Sequence, residues 1–311
     1  MTYGIDVQLS ELIALQRQAQ NVRYRPEGFS SRIGNHLSTL RGRGMDFSEA
    51  RNYQAGDEVR HMEWRVTART GRPHVKVYQE ERERPVVILT DFSPSLYFGT
   101  RIAFKSVVCA RLAALIAWTA ARQGDRVGGF VFSAKTHHEY TPRSRQAGVL
   151  PFIAALSRYT QDHQEKAKAV RHNQSLNNAL LRLRHIAKPG SILVLISDFY
   201  NLDEQSEEHL SRLGRHNDLL AYHVCDPLEL APPKPQQYAV TDGESELVLD
   251  TTLDAVRFSY QFYAEQRITK LQAQCKRIGI QYAQVTASTN LPHLVGQTFP
   301  RRTYVSRIRI G

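Results

Sequence analysis

The chain carries an acid and two hydroxyls at every second position, Asp91-Phe-Ser93-Pro-Ser95, directly after the apolar run Pro85–Thr90. In extended or tightly looped backbone, a spacing of two can aim these three side chains at one point. A cluster of hard oxygens with little net charge suits Mg²⁺ or Mn²⁺ better than Zn²⁺. The same residues fit equally well a polar loop that caps the helix after it. A second apolar run, Ser191–Ile196, also ends in an acid, Ser197-Asp198-Phe199. If the two runs are neighbouring parallel strands, both carboxylates reach one crevice.

The elements that must position these groups follow from hydrophobic patterning. Val86–Leu89 and Ile192–Ile196 are aliphatic without alternation, as strands buried on both faces require. In α/β sheets ligands bind beyond the carboxyl ends of such strands. Elsewhere the pattern predicts an amphipathic helix over Val7–Val22, a long apolar helix over about 101–122, and helices near 146–158, 176–186, 204–215 and 254–277. Strands are expected at Val127–Ser133, Leu219–Cys225 and Ile280–Val285, with a short antiparallel edge at Thr136–Tyr140. Pro227–Pro235 reads as a crossing segment unfit for helix or central strand, followed by a hairpin over 237–250 turning at Asp242-Gly243. The alternation predicts an α/β fold with a doubly wound, mostly parallel sheet. The expected organisation is an N-terminal helix (1–23), a glycine-rich strand-and-turn subdomain (24–84) and an α/β domain (85–311) carrying an insertion at 227–252.

Composition bounds the function. The chain has 311 residues and a formal net charge of +11. Its three cysteines, Cys109, Cys225 and Cys275, are widely spaced, which argues for a reducing compartment and against a disulfide framework or zinc site. With acids at Asp6 and Glu11 and no apolar core, the first residues are not expected to act as a signal peptide, and the longest charge-free apolar stretch, Leu112–Ala121, is too short for a bilayer. A cytoplasmic protein is expected. The charge is uneven: residues 101–171 hold 12 Lys and Arg against 4 acids, and 182–250 hold 6 against 12. No regular interleaving of aromatics accompanies the basic stretch or the arginines of the C-terminal tail, so solvated charge is the expected reading over nucleic-acid binding.

The glycine-rich region contains the string Gly42-Arg-Gly-Met-Asp-Phe47, Arg51-Asn-Tyr53, Gly56-Asp57, Arg60-His-Met-Glu-Trp64 and Thr67-Ala-Arg69. It resembles the signature of the bacterial domain-of-unknown-function family 58, which precedes a domain similar to von Willebrand factor A. Asp46 and Met62 depart from that signature conservatively. The aspartates of the two strand ends, with Ser93 and Ser95, resemble the metal-ion-dependent adhesion site of von Willebrand A domains. That resemblance implies Asp91, Ser93, Ser95 and Asp198 as metal-site residues. The family's further ligand is a Thr opening T-x-L-x-x-A-L; here Gln174 stands in its place, and Ser175 is the candidate substitute. Read without the family, the arginines and acids of the signature suit bidentate ion pairs that fix a loop-rich clamp, with Phe47, Tyr53 and Trp64 as apolar anchors. Arg51, Arg60, Trp64 and Arg69 are the candidates for partner binding there.

The resemblance implies a non-enzymatic, Mg²⁺- or Mn²⁺-dependent interaction module. Its partner would offer an Asp or Glu carboxylate, and the expected partner is a MoxR-type AAA+ ATPase or its client. The competing expectation is a metal-dependent hydrolase or phosphotransferase using the same carboxylates. No nucleotide-binding or nucleophile-elbow motif supports it, and His61 and His137-His138 have no ligand spacing to the aspartates.

Overall fold

Two aliphatic runs without polar interruption cannot lie on a solvated sheet face, and the computed structural model places them side by side at its centre. It describes residues 4–22, 45–54, 57, 59, 62–80, 83–161, 175–241 and 245–300. The chain divides into two compact units, Met1–Ile33 with Arg84–Arg301, and Gly34–Glu83 with Arg302–Gly311.

The larger unit is built on a six-stranded sheet. Its strands are β3 (Pro85–Asp91), β4 (Arg126–Phe132), β5 (His137–Ser144), β6 (Ile192–Ser197), β7 (Asp218–Val224) and β10 (Gln281–Val285), in the spatial order β10-β7-β6-β3-β4-β5. All pairings are parallel except β4 with the edge strand β5. This is the expected α/β, doubly wound, mostly parallel sheet. Chain order reverses between β3 and β6, which pair from Val86↔Ile192 to Thr90↔Ile196.

Alternate residues of the central strands feed two cores. Val86 and Ile88 face the layer formed by α1 (Leu9–Gln20), α3 (Lys105–Arg122) and α4 (Gln146–Gln161). Val87 and Leu89 face α5 (Ser175–Ile186), α6 (Glu204–Gly214) and α8 (Asp254–Ile278). Helix α3 is buried nearly all round, which explains its charge-free stretch. It begins at Lys105, not at Arg101. Helix α1 belongs to the same core: Leu12 is fully buried, and Trp118 donates its indole N–H to the Leu12 carbonyl at 3.0 Å. Gly129 on β4 lets the Phe152 ring lie against the strand, since a Cβ there would overlap that ring.

Three expectations need correction. Pro227–Leu230 forms a short helix, α7, because proline is tolerated at the first helical position and Asp226 with Glu229 completes a capping box before the chain leaves the turn. The helix α9 (Leu291–Thr298), opened by Asn290 and a first-turn proline, was not expected. In the smaller unit, strands β1 (Met45–Asn52) and β2 (His74–Glu80) pair antiparallel, but the segment between them contains a helix, α2 (Trp64–Thr70), that the strand-and-turn reading missed. The hairpin of the insertion is present as β8 (Gln237–Thr241) and β9 (Glu246–Asp250); its Asp242-Gly243 turn lies outside the described residues.

Candidate functional site

The sheet delivers Asp91 as the last residue of β3 and Asp198 immediately after β6, at the point where strand order reverses. Both side chains are buried. Asp91 Oδ1 accepts hydrogen bonds from the Ser93 backbone N–H at 2.7 Å and the Ser93 hydroxyl at 2.6 Å. Its Oδ2 accepts from the Ser197 hydroxyl at 2.6 Å, a bond that ties the two strand ends together. Asp198 Oδ1 accepts from the Tyr200 N–H at 3.1 Å, and Ser95 hydrogen-bonds the same carboxylate. The next residue, Phe199, sits in the left-handed region at φ 51°, a costly conformation for a bulky side chain. Such strain persists only where the surroundings over-determine it, and it is common at functional sites.

A residue that the patterning did not single out completes the cluster. Lys105, first in α3 and buried, donates from Nζ to Asp198 Oδ2 at 2.9 Å and to Glu229 Oε1 at 2.7 Å. Glu229 in turn accepts from the Asp226 N–H through the capping box, and Asp226 accepts from the Thr100 N–H at 2.9 Å and its hydroxyl at 2.6 Å. The loop after β3 and the turn after β7 are thus joined through acids. Arg267 of α8 donates to the Asp198 carbonyl at 2.9 Å and lies over the Tyr200 ring, 4.8 Å from its centroid. The sequence signal for Lys105 was faint, a lone cation opening an apolar helix.

Electrostatics separates the two aspartates. Burial, then the charge of Asp198, pushes the Asp91 carboxyl up to about 6, against the hydrogen bonds from Ser197 and Ser93. Burial also pushes Asp198 upward, but the Lys105 charge, Ser95 and the Tyr200 N–H outweigh it, and its carboxyl lies below the usual value. Lys105 is held in its charged form: burial disfavours the ammonium, and the charges of Asp198 and Glu229 overcome that. Among the described residues no cation pairs with Asp91.

Asp91, Ser93, Ser95 and Asp198 therefore lie together in one largely buried polar cluster at the sheet switch point. Ser175 opens α5, its side chain lies outside the described residues, and so does Gln174. Among the described residues no three His, Cys, Asp or Glu side chains form a metal cage. The donor set fits a hard divalent cation in another respect: two buried carboxylates and neighbouring hydroxyls share a crevice whose Lys105 charge is already divided between Asp198 and Glu229. The histidines of the edge strand lie elsewhere, with His138 Nδ1 at 2.9 Å from the Tyr159 hydroxyl and His137 stacked on Phe130. Buried His223 lies between the Tyr282 hydroxyl (2.8 Å) and the Cys225 thiol (3.2 Å). Burial, then the Arg267 charge, lowers its imidazole to about 4, and burial pushes the Cys225 thiol up to about 12, so neither is poised as base or nucleophile at neutral pH.

In the smaller unit Arg51 and Asp57 form a bidentate pair at 2.7 and 2.9 Å, and that pair with the Gln54 N–H lowers the Asp57 carboxyl. Arg60 lies outside the described residues. Trp64, expected as an apolar anchor, is 64 % exposed, and Tyr53 is also exposed. The reason is position: Trp64 opens a helix with no buried residue, so the aromatic ring gains no core. Arg69 lies near the end of that helix and is exposed; among the described residues no ion pair involves it.

With this geometry in place, comparison with known proteins gives the class. The family described as "Protein of unknown function DUF58" matches residues 49–270, so the chain belongs to that family. Its relatives include the uncharacterized protein Rv1480 of Mycobacterium tuberculosis and the uncharacterized protein Mb1516 of Mycobacterium bovis, each 30 % identical over 224 residues, covering 71 % of this chain and 68 % of the relative. Among solved structures, a conserved hypothetical protein BatB from Bacteroides thetaiotaomicron is similar at TM-score 0.39 and 13 % identity, covering 68 % of this chain and 95 % of that one. An aerotolerance-related membrane protein from Bacteroides fragilis is similar at TM-score 0.41 and 13 % identity, covering 67 % and 93 %. In this chain no helix among the described residues is long and apolar enough to cross a membrane.

Proposed function

We propose that the Asp91/Asp198 crevice is a divalent-cation-dependent protein-interaction site of the von Willebrand A type, and that the chain works as a non-enzymatic adaptor. The observation that carries this reading is a charge imbalance. Two buried carboxylates meet at one sheet switch point, and among the described residues the one ammonium paired with them, Lys105, is shared between Asp198 and Glu229. Mg²⁺ or Mn²⁺ would be held by Asp91, Ser93, Ser95 and Asp198, with Ser175 as a further candidate. When bound, the ion would act as a Lewis acid towards a partner's carboxylate oxygen. The protein's own part is to exclude water, to fix Asp91 through Ser93 and Ser197, and to keep Asp198 ionised through Lys105. The family resemblance supports a MoxR-type AAA+ ATPase or its client as the partner.

The test is Mn²⁺ binding to the wild type and to Asp91→Ala, followed by electron paramagnetic resonance. Binding by the wild type that the variant loses is the expected result. Equal signals from both proteins, or none from either, would sink the metal reading.

A further inference from the structure

Helix α8 is 25 residues long, yet only Ala264, Leu271 and Cys275 are buried along it. Its N-terminal half carries a row of large apolar side chains in water. Phe258, Phe262 and Tyr263 are 73 %, 53 % and 63 % exposed. Phe258 and Phe262 stack, with ring centroids 6.4 Å apart and planes 12° apart. The spacing of four that aligns them continues through Gln266 and Lys270 on the same helical face. Exposed aromatics in a contiguous row mark interaction surfaces, whereas single exposed residues need no explanation.

Phe262, the second aromatic of this row, lines a groove that reaches the two residues following Asp198. Phe262, Tyr263, Arg267 and Lys270 line a groove of about 910 Å³ together with Phe199 and Tyr200. Phe199 and Tyr200 directly follow Asp198, the Tyr200 N–H donates to its carboxylate, and Arg267 donates to its carbonyl. The groove wall also has a charge preference. Of its charged side chains, Arg267 and Lys270 are cationic and Glu265 is anionic, and Glu265 accepts a hydrogen bond from Gln261. Among the described residues no acid pairs with Lys270. An occupant with carboxylates beside aromatic or aliphatic side chains matches both features.

We infer that this groove docks an acidic, aromatic-containing segment of a partner protein, the segment whose carboxylate enters the crevice. The inference rests on the proposed function for the crevice and adds the chemistry of the flanking residues. The aromatic row supplies anchoring area, and Lys270 and Arg267 set the sign of the sequence that follows the entering carboxylate.

A displayed library of random peptides, selected on the purified full chain in Mn²⁺ buffer, provides the test. The affinity of an enriched peptide is then measured by fluorescence anisotropy. Enriched peptides are expected to place Asp or Glu beside Phe, Tyr, Trp or Leu. Phe262→Ser and Tyr263→Ser should each weaken binding about tenfold, as truncated aromatic anchors do. Lys270→Glu should weaken it and remove much of its salt dependence. Phe262 and Tyr263 are exposed, so the variants should keep the wild-type melting profile, which circular dichroism checks. Unchanged affinity in Phe262→Ser, enrichment of basic peptides, or no enrichment at all would overturn the inference. So would a concentration-dependent dimer in sedimentation that Phe262→Ser abolishes, which would assign the groove to a second copy of the chain. EDTA and Asp91→Ala separate the two readings. Loss of binding in them but not in the groove variants removes the groove alone. Loss in the groove variants but not with EDTA removes the metal reading alone.

Discussion

Asp91 and Asp198 end neighbouring parallel strands, are both buried, and differ in ionisation in opposite directions. Asp91 has the richer set of hydroxyl donors, from Ser93 and Ser197, and still titrates high. Asp198 has an ammonium and titrates low. The contrast teaches that hydrogen bonds alone do not offset burial and the neighbouring Asp198 charge at Asp91, whereas an ammonium acting together with Ser95 and the Tyr200 N–H offsets burial at Asp198.

Removing that cation should have the largest effect. Lys105→Met replaces the ammonium with an apolar side chain of similar length and leaves Asp198 buried without a counter-charge. Breaking a buried pair by deleting one partner costs about 3–5 kcal/mol, to be read from urea unfolding. If the comparison holds, Lys105→Met combined with Asp198→Asn should recover part of that loss, because the orphaned charge is gone. A double variant no more stable than Lys105→Met would show that Lys105 acts through packing instead.

The second prediction concerns pH in metal-free buffer. The folded-state pKa of Asp91, about 6, lies above its ordinary value of 3.8. The native state therefore binds this proton more tightly than the unfolded chain does. Its contribution is fully present below pH 3.8 and is lost as pH rises through about 6, on the order of 3 kcal/mol in all. Asp198, shifted downward, behaves oppositely: its contribution is present above 3.8 and is lost as pH falls below it. Asp91→Asn should flatten the fall in stability between pH 4 and 6, since an amide can keep the Ser93 bonds without carrying charge. An unchanged slope in unfolding free energies over that range would contradict the asymmetry.

How much of this was legible in the sequence depends on the kind of signal. The central strands announced themselves because burial on both faces removes all alternation, and Asp91 and Asp198 stand out as charges that end such runs. Lys105 was not legible as a counter-ion because its partners are distant in the chain: Asp198 lies on another strand end and Glu229 in a turn after β7. The proline segment misled because Pro227 was read as a helix breaker, when at the first helical position it starts one. Trp64 misled in the opposite way, since a large aromatic is ordinarily core and this one is exposed.

A third experiment sharpens the same contrast through the ion. On the proposed reading Mn²⁺ binds the folded state alone, so a concentration about 100 times its Kd should stabilise the wild type by about 2.7 kcal/mol. Asp91→Ala should gain nothing in the same thermal melt. Lys105→Met, if folded, should bind Mn²⁺ more weakly than the wild type, because Asp198 loses the ammonium that keeps it ionised. Tighter binding in that variant would mean that Lys105 acts on the ion chiefly as a repelling charge.

The smallest effect should come from Glu229, because it is a partner of Lys105 but only partly buried, at 22 % side-chain exposure. Its two oxygens do different work: Oε1 accepts from Lys105, and Oε2 accepts from the Asp226 N–H. Glu229→Gln keeps a single acceptor and so can retain only one of these bonds. The lost bond should cost about 1 kcal/mol. Relieved of a competitor, the Lys105 charge would fall more fully on Asp198, so that carboxyl should titrate lower still while Asp91 hardly changes. Nuclear magnetic resonance of the carboxyl carbons would follow both groups in one titration. If Asp91 moved as far as Asp198, the two acids would be sharing Lys105, and the separation between a paired and an unpaired carboxylate would fail.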